Sequence, residues 1–255
     1  MAITIKSDRD IEKMKVAGNV VSLCHQRVQA AIAPGVTTGE LDAIVVDTLK
    51  EHNALASFLG YNGFPSSICA SVNEEIVHGF PGKRVLKDGD IIAVDIGAIV
   101  DGWHGDSAWT YGVGTISPRA QALLRDTEEA LNLAVDAARP GNRLGAIGFA
   151  VEQFAAPKGY GIVRGYGGHG IGRRMHEDPH VPNFGSANYG PILRKGMTLA
   201  IEPMLNLGTD DVEVLDDEWT VVTADGEISA HFEFTVAITD DAPLVLTPRL
   251  TSVVN

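Results

Sequence analysis

Cysteine is scarce: only Cys24 and Cys69 occur. Two cysteines make no disulfide framework, and a reducing compartment is the simpler expectation. Long apolar runs are missing too. Nothing approaches the roughly 18 consecutive apolar residues of a membrane span, and the N-terminal MAITIKSDRDIEK lacks the apolar core of a secretory signal. The expectation is a soluble, cytoplasmic protein with no membrane partner. Cationic side chains are outnumbered, 20 Lys and Arg against 33 Asp and Glu, for a net charge of −13. That balance argues against DNA and other phosphate backbones, which need clustered Lys and Arg. There is no low-complexity tract. What remains is a globular composition, 45% hydrophobic over 255 residues. That length suits one large domain or two modest ones and is enough to bury a substantial core.

Helical signals come in two sets. Residues 7 to 33 read as a helix: Ser7 with Asp10 resembles a capping box, and Ile11, Met14, Val21, Cys24, Val28 and Ala31 follow helical spacing. Pro34-Gly35 stops it, and Thr37 with Glu40 opens a second helix carrying Leu41, Ile44, Val45 and Leu49. Ser117-Pro118 then starts a third, Pro140-Gly141 ends it, and a fourth runs from about Arg143 to Ala155. The two Pro-Gly steps stand 106 residues apart, and VLKDGDIIAVD (85–95) matches ILRKGMTLAIE (192–202) at an offset of 107. Acid falls on acid, Asp95 on Glu202. Coincidence among common residues is the bland alternative; a duplicated unit explains both offsets. Two such halves would share one sheet and meet along a pseudo-two-fold axis, where a site draws ligands from both.

The segment DIIAVDIGAIVDGWHGDSAWTY (90–111) places Asp95 inside an otherwise apolar strand. A buried, unpaired carboxylate costs several kcal/mol or neutralises itself, so something must compensate it. Asp101-Gly102 is a strong hairpin signal. With a two-residue loop, Val100 pairs with Trp103, Asp95 with Ala108 and Gly97 with Asp106. Asp95 and Asp106 then share a face as diagonal neighbours, about 7–8 Å apart at Cβ or less. A three-residue loop would separate them onto opposite faces. Glu202 in TLAIEPML and Glu233 in SAHFEFTVAI repeat the pattern, the latter read as one strand with His231, Glu233, Thr235 and Ala237 on a single face.

Any one of these acids alone suits a salt bridge. Four with few cations nearby do not, since like charges 4 Å apart repel by roughly 4 kcal/mol at an effective dielectric near 20. Two divalent metals would balance four carboxylates. Oxygen-rich sites with an occasional imidazole suit Mn, Fe(II), Co or Zn. His78, His169 and His176 are the imidazole candidates. His169 is hemmed by Gly167, Gly168 and Gly170, which permit close backbone approach. Gly165 to Gly170 also matches G-x-G-x-x-G, but Pro179 follows too soon for a long helix and no acid stands about 20 residues on, so a dinucleotide site is rejected.

NEEIVHGFPG, VDIGAIVDGWHGDSAWTY, GYGGHGIGRRMHEDP, GMTLAIEPML and the Glu233 segment together resemble the type I methionine aminopeptidases, over nearly the whole chain. The resemblance implies an α+β pita-bread fold: two pseudo-symmetric halves, helices packed on a curved, largely antiparallel sheet, and a dinuclear metal site at their junction. It implies a single catalytic domain over 1–255, with an internal repeat of about 1–115 and 116–255. Five metal ligands fall on Asp95, Asp106, His169, Glu202 and Glu233, with Asp106 and Glu233 bridging, Asp95 on one metal, and His169 with Glu202 on the other. Water activated by the metals would attack the first peptide carbonyl, with Glu202 as proton shuttle. His176 would hydrogen-bond the scissile carbonyl, and His78 would contact the scissile nitrogen and the tetrahedral intermediate. The substrate's free amine would sit on a metal. Tyr61, Phe64, Cys69 and Trp219 match the methionine pocket, an apolar slot suited to an unbranched thioether, though each alone reads as ordinary core. Substrates would be peptides and nascent chains at the ribosome, with N-terminal Met before a small residue. The protein would be a monomer. A monovalent cation, Na or K, near Asn73 and Ser229 is also implied.

Three positions depart from the family pattern: Met175 before His176, Phe234 after Glu233, and Asn62. None removes a ligand; they bear on the pocket rim. Three rivals stand beside this reading. A proline-specific peptidase would carry a large domain ahead of the catalytic half, for which Asp95 leaves no space. A type II enzyme would carry a late insertion, whereas His176 to Glu202 and Glu202 to Glu233 span 26 and 31 residues. An inactive binding protein on the same scaffold would be expected to have lost ligands. Any ribosome docking would use the catalytic domain itself, since no zinc-finger or Pro-rich extension precedes it.

Overall fold

In the computed structural model, which describes residues 2–250, the helix starts follow the capping chemistry. Helix α1 (Asp8–Ala31) is capped by a reciprocal box between Ser7 and Asp10, and α2 (Thr38–Glu51) by one between Thr37 and Glu40. Helix α3 (Pro118–Ala137) begins with Ser117 as cap and proline in its first turn. Helix α4 runs Gly145–Ala155, starting two residues later than expected and with no side-chain cap. Similarly, α1 ends at Ala31, before Pro34. It buries Ile11, Met14, Val21, Cys24 and Val28, each burial worth about 1.5–3 kcal/mol for a large apolar side chain.

The first half carries β1 (Leu55–Ala56), β2 (Ile68–Val72), β3 (Glu75–Val77), β4 (Ile91–Val100) and β5 (Trp103–Gly112). The second carries β6 (Gly161–Ile162), β7 (Gly168–Gly170), β8 (Glu177–Val181), β9 (Thr198–Ile201), β10 (Met204–Asn206), β11 (Val212–Val214), β12 (Val221–Thr223), β13 (Ser229–His231), β14 (Phe234–Ala237) and β15 (Leu244–Val245). Every strand pair among the described residues is antiparallel. The central rows are β1-β4-β2 with β5 on β4, and β15-β14-β9-β7-β8. Helix α1 packs on β4 and β5; α3 packs on α4 and touches β5, β9, β10 and β13.

The hairpin register is the one a two-residue loop requires: Val100 pairs with Trp103, Asp95 with Ala108 and Gly97 with Asp106. Asp101 and Gly102 both have positive φ, as a type I′ turn demands. Matching contacts recur in the two halves. Gly35 N–H donates to Leu86 O at 2.8 Å and Gly141 N–H to Leu193 O at 2.9 Å, and the bridges Thr37–Val85 and Arg143–Ile192 follow suit. One expectation fails. The segment 229–238 is not one strand; it breaks at Phe232 and Glu233, where Glu233 N–H leaves the ladder to donate to Ala108 O at 2.8 Å. The two halves therefore meet without a continuous ladder between β5 and β14.

Gly168 allows β7 to lie against β9. A Cβ there would stand 2.2 Å from the Ala200 carbonyl oxygen, a backbone atom that cannot swing aside. Gly168→Ala is expected to lower stability by about 1–3 kcal/mol or more through overpacking, read from the denaturant midpoint; an unchanged midpoint would contradict this packing.

Candidate metal centre and pocket

Every residue singled out for catalysis, metal or substrate lines one cavity of about 350 Å³: Asp95, Asp106, His169, Glu202, Glu233, His78, His176, Tyr61, Phe64, Cys69 and Trp219. Asn62 and Met175 line it as well, and so does Phe58, which the sequence did not single out. Strand β4 supplies Asp95, β5 Asp106 and β7 His169. Glu202 follows β9 directly, and Glu233 sits at the break before β14.

Asp106, His169 and Glu233 offer ligand atoms all within 4.8 Å of one another. They are 2%, 7% and 1% exposed. His169 Nε2 lies 3.8 Å from Asp106 Oδ2 and 3.7 Å from Glu202 Oε1. Its Nδ1 stands 2.9 Å from the Gly170 carbonyl. A carbonyl only accepts, so the proton is on Nδ1 and Nε2 keeps a free lone pair, the tautomer a metal-ligating histidine needs. The expected glycine contacts are present: a Cβ at Gly170 would meet Asp178 O at 2.2 Å.

The electrostatics agree. Asp95 Oδ1, Asp106 Oδ1 and Glu233 Oε1 are buried and make no hydrogen bond among the described residues. Burial, then the neighbouring carboxylates, pushes Asp106 and Glu233 well above the usual carboxylate range. Burial pushes Asp95 up to about 7. Burial also acts to raise Glu202, but His231, with Nε2 3.5 Å from Glu202 Oε2, outweighs it and holds it low. Orphaned acid oxygens converging on an unprotonated imidazole nitrogen fit divalent cations.

His176 stacks near His169, ring centroids 4.1 Å apart, and its Nδ1 is 2.8 Å from the Tyr61 hydroxyl. Burial first, and His169 second, bring its pKa down to about 4. His78 has a left-handed backbone, and burial lowers its pKa. The apolar end of the cavity is a cluster of Phe58, Phe64, Cys69 and Met175, with Tyr61, Phe80 and Trp219 against it. Cys69 pairs directly with Asp95 across β2 and β4, so pocket wall and acid are neighbours. His231 is the residue sequence reasoning passed over. It is 2% exposed, with Nε2 3.5 Å from Glu202 Oε2. Its spacing two before Glu233 was the available signal. Near Asn73, the backbone carbonyl accepts from Ser229 N–H at 2.9 Å, and the side chain bridges Asp90 and the Ile91 N–H.

The chain belongs to metallopeptidase family M24, whose profile matches residues 12–240. Within that family it is similar to the methionine aminopeptidases. It is 51% identical over 245 residues to methionine aminopeptidase 1 of Bacillus subtilis, covering 96% of this chain and 99% of that one. The crystal structure of methionine aminopeptidase from Thermotoga maritima superposes with a TM-score of 0.95 at 44% identity, covering 96% and 99%. The prolidase from Pyrococcus horikoshii shares the fold, with a TM-score of 0.75 at 22% identity, but this chain covers only 64% of it. The pita-bread α+β fold and the metal-dependent peptide-bond hydrolase reading follow, and the metallopeptidase family implies divalent metal. No helix among the described residues is long and apolar enough to cross a membrane.

The raised Asp95 gives a prediction. Below the unfolded pKa near 3.9 the group is neutral in both states and costs nothing. As pH rises toward its folded value of about 7, the unfolded chain ionises first and stability is lost. In metal-free protein, Asp95→Asn is expected to melt higher than wild type at pH 7.5, with the gap closing toward pH 4. Equal melting at both pH values would rule out an uncompensated Asp95.

Proposed function

We propose that this protein removes N-terminal methionine from peptides and nascent chains whose second residue is small. The observation that carries this reading is the continuity of one cavity: an apolar end built from Phe58, Phe64 and Trp219 opens onto Asp95, Asp106, His169, Glu202 and Glu233. An unbranched thioether fits the apolar end. It brings the first peptide bond to the acids.

Asp95, Asp106, His169, Glu202 and Glu233 would hold two divalent ions, of Co, Mn, Fe(II) or Zn, with Asp106 and Glu233 shared. When bound, such ions supply Lewis acidity and lower the pKa of a water. Glu202 takes the proton of the attacking water and delivers it to the amine released as the C–N bond breaks. His176 is neutral near pH 7. Its Nδ1 is within hydrogen-bond distance of the Tyr61 hydroxyl; in the tautomer that accepts from that O–H, the ring proton is on Nε2 and donates to the carbonyl oxygen as charge develops there. His78, beside Trp219 and Tyr166, contacts the scissile nitrogen and crowds the second residue. Na⁺ or K⁺ near Asn73 and Ser229 would be held largely by backbone carbonyls. The setting is the cytoplasm, with action as a monomer on chains at the ribosome. The duplicated halves, about 1–115 and 116–255, form one catalytic domain, a reading supported by the matching Gly35–Leu86 and Gly141–Leu193 contacts.

The test uses chelator-stripped protein given back Co²⁺ or Mn²⁺, with Met-Ala-Ser, Leu-Ala-Ser and Ala-Pro-Ala as substrates. Only Met-Ala-Ser is expected to be cleaved, and only with metal. Turnover of the proline peptide instead would overturn the substrate while keeping the site. Glu202→Ala should cut kcat by about 10²–10⁴ with an unchanged circular dichroism spectrum; wild-type turnover would remove Glu202 from the mechanism.

A further inference from the structure

Strand β5 and the β13–β14 segment run antiparallel across the seam between the halves, but side-chain hydroxyls replace most of the ladder. Thr235 Oγ1 accepts the Asp106 N–H at 3.0 Å and donates to the Asp106 C=O at 2.8 Å. Thr110 Oγ1 does the same to His231, at 2.9 and 2.8 Å. Between the two clasps, Glu233 N–H donates to Ala108 O at 2.8 Å and Ser107 Oγ donates to Glu233 O at 2.6 Å. The arrangement is two-fold about Ala108 and Glu233: two residues away in one direction Asp106 faces Thr235, and in the other His231 faces Thr110.

The two clasps make the same bonds but hold different residues. Asp106 sends a carboxylate into the cavity beside Glu233, and each acid keeps an unpaired buried oxygen. When both are ionised these groups push apart, and the backbone beneath them sets how closely they stand. A hydroxyl that accepts from an N–H and donates to the C=O of one residue fixes that residue against movement along and across the strand. Thr235 is itself anchored from behind: it is fully buried, its N–H donates to Thr247 Oγ1 at 3.0 Å and its C=O accepts from Leu246 N–H at 2.8 Å. The chain from Leu246 and Thr247 through Thr235 to Asp106 is thus continuous.

We propose that Thr235 is a positioning residue for the metal centre, its hydroxyl setting where Asp106 stands relative to Glu233, while its counterpart Thr110 clasps no ligand and reaches the centre only through His231 beside Glu202. This rests on the reading of Asp106 and Glu233 as shared ligands. Thr235→Val keeps the shape and removes both bonds; Thr235→Ser keeps the hydroxyl; Thr110→Val removes the equivalent bonds on the other side.

The readouts are Co²⁺ affinity by titration calorimetry, the visible absorption of the Co²⁺ protein, and the melting temperature of the metal-free protein. Thr235→Val is expected to bind Co²⁺ about 10–100-fold more weakly, the usual range for losing a supporting hydrogen bond behind a ligand, with an altered spectrum. Thr235→Ser should restore affinity and spectrum. Thr110→Val should lower the metal-free melting temperature about as much as Thr235→Val, yet weaken Co²⁺ binding and alter the spectrum far less. Wild-type Co²⁺ binding by Thr235→Val would overturn the proposal. Equal weakening by Thr110→Val would overturn it too, because a loosened seam would then suffice. If Thr235→Val does not fold, Thr235→Ala carries the same comparison. Wild-type protein that binds no Co²⁺ would instead overturn the ligand reading, a separate outcome.

Discussion

Four carboxylates share one cavity, and no lysine or arginine lines it. Most other features of the site answer that constraint. Two like charges 4 Å apart cost roughly 4 kcal/mol at an effective dielectric near 20, and burial adds desolvation. The protein meets part of the problem by letting the groups differ. Glu202 is held low beside His231, while Asp106 and Glu233 are pushed well above the usual range. A divalent ion meets the rest, because it is drawn to the state the fold disfavours. Metal affinity and the metal-free protein's stability are therefore two sides of one quantity.

Holding repelling groups together requires backbone that cannot yield. The type I′ turn at Asp101-Gly102 sets the register that puts Asp95 and Asp106 on one face. A slip of one residue between the two strands would put the acids on opposite faces. The break at Glu233 serves the same end from the opposite half. By leaving the ladder, Glu233 N–H reaches Ala108 O and ties the two acid-bearing strands at the point where they approach. Gly168 and Gly170 let His169 sit close against β9 and β8, and the Gly170 carbonyl settles which ring nitrogen faces the acids.

Much of this was legible in local chemistry. Ser7 with Asp10 and Thr37 with Glu40 are capping boxes because hydroxyl and carboxylate at that spacing have few better partners. Asp-Gly between apolar runs permits one dominant turn, so the register followed from a dipeptide. An acid inside an apolar strand is a conflict visible without coordinates. The rest was hidden because its causes are tertiary. The alternation of SAHFEFTVAI matches a regular strand; only the Ala108 carbonyl from the other half shows why it breaks. The start of α4 carries no capping side chain, so Arg143 and Gly145 were equally open. Phe58 reads as core, and is core, until the cavity is seen against it. Thr110 and Thr235 are common strand residues, and nothing in their spacing reveals that their hydroxyls stand in for a ladder.

Binding specificity and chemistry are also joined through the backbone. Cys69 and Asp95 are direct partners across β2 and β4. Strand β2 thus offers a thiol to the cavity at the level where β4 offers the Asp95 carboxylate to it. Burial pushes the Cys69 thiol well up, and Asp95 and Asp106 push it further, so it acts there as a small apolar surface and not as a nucleophile. A side chain seated against Cys69 therefore rests on the strand that pairs directly with the one carrying Asp95. A shift of β2 against β4 would displace the pocket from the reacting bond without touching a single ligand. Such a shift would lower kcat on methionine peptides even with metal in place, because orientation at the reacting bond contributes a large part of the rate.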